Sequence, residues 1–234
     1  MTQAPRRKRA YDSSKRRAAA RATCLRIAQC ARRLFAERGY GATSIELIAR
    51  EAGASVPTFY ATYGSKRAVL FALLDAADAQ ADVVSLQKSL RAAAGQPREQ
   101  LQLLVSFARR FYEQSADLIE IARSAGRVEA DLEALWKEGE ARRLKGQKPV
   151  VHAWAASGVL REGLQESDAL DVLWSLTGPD HYRLMVTERR WPPEKYETWL
   201  ARSLALLLFR HEYSLKRQAF SRAASPLASQ NTSE

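Results

Sequence analysis

A chain of 234 residues, 46% of them apolar, can bury a sizeable core, which excludes wholesale disorder. No apolar run approaches the roughly eighteen residues of a membrane span, and the basic start of the chain argues against a secretory signal. The net charge of +11 lies wholly within residues 1–70 and leaves the remainder neutral, so it is an electrostatic footprint for a polyanion rather than general solubility.

Residues 1–20 combine few apolar side chains with many charges and are expected to form a basic, disordered arm. Anionic lipid would attract the same charges, but no apolar anchor adjoins them. From about Arg21 the pattern is helical: Ile27, Ala28, Ala31, Leu34 and Phe35 form one stripe at three- and four-residue spacing. Gly39 and Gly41, around Tyr40, stop that helix. Thr43 then opens a second helix, because Thr43-x-x-Glu46 has capping-box spacing and Ile45, Ile48, Ala49 and Ala52 supply a buried side. Gly53 ends it. Ser55 caps a third short helix with Pro57 at its second position, where a missing N–H costs nothing. After Tyr63-Gly64, Ser65 caps a fourth helix that starts at Lys66 and runs through Val69, Leu70, Leu73 and Leu74.

Beyond this point the spacing predicts helices and no strand-like alternation. One helix spans about 98–114 after Gly95-Gln96-Pro97, a short one 116–124, and a long one starts near 128, which Pro149 kinks or divides. Two more follow at about 167–189 and 193–217, separated by Trp191-Pro192-Pro193, and the tail 222–234 is expected to be disordered. Cys24 and Cys30 read as two small, semi-buried residues, which places the chain in a reducing, cytoplasmic setting.

Three short helices with breaks at 39–42, 53–55 and 63–65 have helix-turn-helix spacing, with Ala49 at the helix crossing, Gly53 in the turn and Phe59 as the apolar anchor. The outward face of the third helix carries Val56, Pro57, Thr58, Tyr60 and Ala61. Short polar and methyl groups of this kind suit base reading in a major groove, with charge reaching phosphates from the flanks.

Residues 28–70 thereby resemble the DNA-binding domain of the TetR family of bacterial repressors. The pattern stands as Ala31, Leu34-Phe35, Gly39-Tyr40, Thr43-Ser44-Ile45, Ile48-Ala49, Ala52-Gly53-Ala54-Ser55, Thr58-Phe59-Tyr60 and Ser65-Lys66. A looser likeness covers Leu173 to Thr177, Pro179, Tyr182 to Leu184 and Trp191. The resemblance implies an all-α fold: a DNA-binding domain at 21–67 and a helical effector-binding and dimerisation domain at 68–221. It also implies DNA contacts from Thr43, Ser44, Ser55, Val56, Pro57, Thr58, Tyr60, Thr62 and Lys66, although Thr43 has an alternative reading as a helix cap and Tyr60 as a packing residue. Many relatives carry lysine where Val56 stands and histidine where Thr62 stands, so those two contacts weaken here, and the basic arm is expected to compensate from the minor groove.

An effector pocket is implied by the same likeness, with Phe107, Phe111, Trp136, Trp154 and Trp174 as candidate lining, each equally readable as core. The effector would be apolar or aromatic. The last two long helices are expected to form a homodimer interface on an operator that is nearly palindromic. No zinc-type spacing, phosphate-cradling glycine loop or nucleophile elbow appears, and His152, His181 and His211 stand far apart, so no enzyme, metal or cofactor is expected. Two other readings are an architectural DNA-binding protein without an effector, and a helical enzyme or lipid-associated protein.

Overall fold

The computed structural model describes residues 13–127 and 129–214, and these are helical apart from short connections and one isolated bridge between Leu160 and Phe209. Most of the expected arm, residues 1–12, and the tail 222–234 lie outside the described residues.

The first helix, α1 (Ser13–Arg38), starts well ahead of the expected Arg21. Alanine and arginine are strong helix formers, and the Lys15-to-Ala22 stretch is built of little else, so charge alone does not keep it from being helical. Gly39, at φ +82°, ends α1 in the left-handed region that a side chain would strain. Helix α2 (Ile45–Glu51) is capped by Ser44, whose hydroxyl accepts from Leu47 N at 3.2 Å, so the expected cap at Thr43 shifts by one residue. Gly53, at φ +62°, makes the tight turn into α3 (Val56–Tyr63), and Ser55 caps that helix by accepting from Thr58 N.

Helix α4 (Lys66–Gln80) ends at a break no glycine or proline announces. Asp82 adopts φ +50° and its carboxylate caps α5 (Val83–Ala92) by accepting from Ser85 N. Helix α6 (Pro97–Gly126) runs unbroken where two helices were expected. Ser115, at the expected gap, is buried and returns its hydroxyl to Phe111 O within its own helix, so it interrupts nothing. Helix α7 (Ala130–Ala156) likewise passes through Pro149 undivided. Pro149 and Lys145 are both exposed, which leaves the carbonyl that loses its donor on the solvent side.

The expected helix 167–189 is instead α8 (Glu166–Leu176), a break at Thr177-Gly178, and α9 (Pro179–Tyr182) continuing into a π-helical turn, Arg183–Glu188. Helices α10 (Pro193–Leu208) and α11 (His211–Ser214) complete the described chain. Among the described residues no helix is long and apolar enough to cross a membrane.

Two apolar cores result. One gathers Ile27, Leu34, Phe35, Ile48, Phe59 and Leu70 from α1–α4, and is closed by Leu118, Ile121 and Ala125 of α6 and Leu132 of α7. The other is built around Trp154, Tyr196, Leu200, Leu204 and Phe209. Helix α6 therefore belongs to both halves. Arg32 clamps it to α1, donating to both carboxylate oxygens of Asp117 and to Gln114 O at 2.7 Å each, and Arg67 of α4 pairs with Asp131 of α7.

Candidate nucleic-acid interface and effector cavity

Helix α3 has eight residues and buries a single side chain fully, Phe59. A helix that short has little stability of its own, so tertiary anchors must hold it. Phe59 is one anchor; its ring lies among α1, α2 and α4 in the first core. Tyr63 is the other: its hydroxyl donates to Cys24 O at 3.1 Å and sits 3.0 Å from Cys24 Sγ, tying α3 back to α1. Both cysteines are free thiols of intermediate burial. Sequence reasoning had no signal for the role of Tyr63, since its partner lies 39 positions away.

With one face pinned, α3 presents the other outward. Tyr60 is 50% exposed, and Ser55, Pro57, Ala61 and Thr62 are exposed as well. Thr58 is half-buried, with its hydroxyl 2.8 Å from Ser55 Oγ, and Thr62 donates back to Thr58 O at 2.7 Å. Val56 packs partly against the first core, and Ser44 is exposed at the start of α2. Seven of the nine expected contact residues thus lie on or beside the exposed side of the α2–α3 pair.

The other two residues are differently placed. Thr43 is 1% exposed and its hydroxyl donates inward to Gly39 O at 2.9 Å and Leu34 O at 3.2 Å. That group closes the end of α1 and has no proton to offer a phosphate, which corrects the expected hydroxyl contact. Lys66 donates through Nζ to Tyr40 O at 2.8 Å and Thr43 O at 3.1 Å and lies over the Tyr40 ring. Its ammonium holds the α1–α2 turn to the start of α4, leaving one of its three N–H groups outside these two bonds. Burial pulls its pKa below the usual lysine value, the nearby Glu129 carboxylate opposing the shift.

The larger helical half contains a cavity of about 600 Å³ walled by α4, α5, α6 and α7 with the α8–α9 junction. Of the five aromatic candidates, Phe107, Phe111 and Trp136 line it, and the Phe107 and Phe111 rings stack at 6.4 Å. Trp154 and Trp174 do not line it. Trp154 is a core residue: it stands edge-on to Phe209 and its indole donates to buried Gln100 at 2.8 Å. Trp174 turns instead against the Arg143 guanidinium, 4.7 Å from its ring centre. Composition did not distinguish lining from core tryptophans, because both need an apolar helix face.

The polar lining was not foreseen. Arg143 and Gln147, one turn apart on α7, reach Thr177 at the α8–α9 junction. Arg143 donates to Glu140 at 2.6 Å and to Trp174 O; Arg142 pairs with Asp78 at 3.1 Å. Burial raises the Tyr112 phenol at the same wall well above the ordinary tyrosine range. The cavity's first wall is α4 itself: Leu74, Asp75 and Asp78 line it, while Val69 and Leu70 of the same helix lie in the first core.

Residues 27–73 match the family described as "Bacterial regulatory proteins, tetR family". No curated protein matches the chain in sequence. Among solved structures, NalD of Pseudomonas aeruginosa, the secondary repressor of the MexAB-OprM multidrug efflux pump, superposes with a TM-score of 0.64 at 18% identity, covering 83% of this chain and 99% of its own. The SmeT–triclosan complex gives 0.63 at 18% identity, with 89% and 100% covered. A TetR/AcrR-family regulator from Thermobifida fusca YX-ER1 gives 0.59 at 23% identity, with 77% and 95% covered. At these identities the likeness speaks for the fold, and the sequence match speaks for the reading head. Residues 27–73 thus match the DNA-binding head of the tetR family of bacterial regulatory proteins, and the described chain carries that head on the fold these solved structures share.

Proposed function

We propose that the chain is a ligand-responsive repressor that binds a near-palindromic operator as a homodimer and leaves it when a small apolar or aromatic molecule fills the cavity. The observation that carries this reading is the span of α4, whose first turns pack in the reading-head core and whose later turns wall the cavity. A ligand that displaces α4 must move Lys66, and with it the turn between α1 and α2. If the ligand favours the displaced arrangement by about 3 kcal/mol, operator affinity falls more than a hundredfold.

Pairing through α8 and α10 is supported by the surface there. Leu200, Leu204 and Leu208 face the chain's own core, whereas Leu206 and Leu207 on α10, and Leu184 in the π-helical turn, are exposed. An interface related by a two-fold axis would cover them and set two α3 helices about 34–36 Å apart, one turn of duplex. NalD is named a repressor and SmeT was solved with triclosan, and both lend weight to repression and to an aromatic effector.

Within the head, Tyr60 is assigned to a phosphate through its exposed hydroxyl, Thr58 and Pro57 to base edges and thymine methyls, and Ser44, Ser55, Val56 and Thr62 to the flanks. Lys66 meets phosphate only through the donor left over from the turn. Accordingly, Tyr60→Phe should weaken binding to every sequence by a similar factor of about five to ten, and Thr58→Ala should relax preference at particular bases, both measurable by gel retardation on a set of single-base operator variants.

Genomic pull-down of bound DNA followed by motif extraction tests the reading as a whole. A near-palindromic motif with half-sites one turn apart is expected. Recovery of DNA without any motif would make the chain an architectural protein instead.

A further inference from the structure

Two buried polar residues of the cavity wall, Gln147 and Thr177, specify what the effector must carry. Gln147 lines the cavity and is 7% exposed. Its Nε2 lies 2.9 Å from Thr177 Oγ1, and Thr177 Oγ1 lies 2.6 Å from Leu173 O. A carbonyl accepts only, so the single hydroxyl proton of Thr177 is committed to Leu173 O. Thr177 can then only accept from Gln147, which forces the amide NH2 toward it and leaves Oε1 on the other side. Gln147 Oε1 is buried with no hydrogen-bond partner among the described residues. A buried acceptor left unpaired is costly, and a bound molecule that supplies a donor recovers that cost.

The charges around the cavity argue against an anion. Arg143 is engaged by Glu140, Trp174 O and the Trp174 ring, and Arg142 by Asp78. Asp75 adds a further negative charge to the lining. The Nε of Arg143, one turn from Gln147 on the same helix face, is a second buried group with no partner among the described residues.

We infer that the effector is an apolar molecule ending in a neutral O–H or N–H donor that Gln147 Oε1 receives, and that carboxylates of the same shape are refused. This rests on the cavity being the effector site. Sites built to hydrogen-bond a donor reject the analogue that lacks it more strongly than apolar pockets reject a change of size.

The test is calorimetric titration of the full chain with two matched series: 4-phenylphenol, 4-methoxybiphenyl and biphenyl-4-carboxylate, and dodecan-1-ol, methyl dodecyl ether and dodecanoate. In each series that binds, the hydroxyl compound should bind about tenfold or more tightly than its ether and its carboxylate. Gln147→Met should remove that advantage, with the ether as the internal reference. Thr177→Val, which frees the amide to rotate, should narrow it and answers the question if the first variant does not fold. Equal affinity of ether and alcohol, or tightest binding of the carboxylate, overturns the inference. Failure of both series to bind protein that still retards operator DNA overturns the effector-cavity reading, and the inference with it.

Discussion

Replacing Phe59 with alanine is expected to lower operator affinity at least a hundredfold while leaving the cavity's ligand binding in place. Phe59 is the only residue of α3 that is fully buried, and its ring is the helix's main tie to α1, α2 and α4. Truncating a buried phenylalanine costs about 3–5 kcal/mol through lost transfer energy and the cavity left behind. An eight-residue helix has no reserve to absorb that, because isolated helices of this length are unstable in water. What remains is the Tyr63 hydrogen bond to Cys24 O and the two caps, each worth about 1 kcal/mol. The reading helix should therefore lose its fixed orientation, and with it the contacts assigned to Thr58 and Tyr60. Phe59 does not line the cavity, whose walls besides α4 are α5, α6, α7 and the α8–α9 junction, so probe binding should survive. Gel retardation and calorimetry on the same preparation check both halves; affinity within about threefold of the unaltered chain would show that α3 is positioned by something else.

Operator affinity should also collapse with salt. All of the net positive charge falls in residues 1–70, so binding is expected to be dominated by released counterions. With about eight phosphates neutralised per dimer, the slope of log affinity against log salt is about −7, so raising NaCl from about 50 to 200 mM costs roughly four orders of magnitude. The structure explains why the slope should fall short of the raw number of cations. Arg32 is engaged by Asp117, Arg33 by Glu37 and Glu51, and Lys66 by the carbonyls of the α1–α2 turn, so these charges are partly spent inside the protein. A slope shallower than about −3 would point to a partner other than duplex DNA.

The division of labour between sequence and tertiary structure follows the range of the interactions involved. Helical character, the breaks at Gly39 and Gly53, the cap at Ser55, the anchor Phe59 and the basic first third were legible from residue type and spacing, because each arises from local backbone preference or burial periodicity. Capping at Ser44 rather than Thr43 was not, since both residues offer a hydroxyl; Thr43 is withdrawn by contacts to Leu34 and Gly39 that only the folded turn brings near. Breaks expected at position 115 and at Pro149 did not form: Ser115 bonds back to Phe111 O within α6, and Pro149 lies on the exposed side of an undivided α7.

By itself, then, the amino-acid order determined which short helix would face outward and where the charge would gather. Only the tertiary structure decided that α4 and α6 join the head to the cavity, that Trp154 is core while Trp136 lines the cavity, and that Gln147 faces Thr177 with an acceptor to spare. Those facts depend on pairs of residues tens of positions apart, such as Arg32 with Asp117 and Gln147 with Thr177. Such pairs leave no mark on the periodicity of either helix alone.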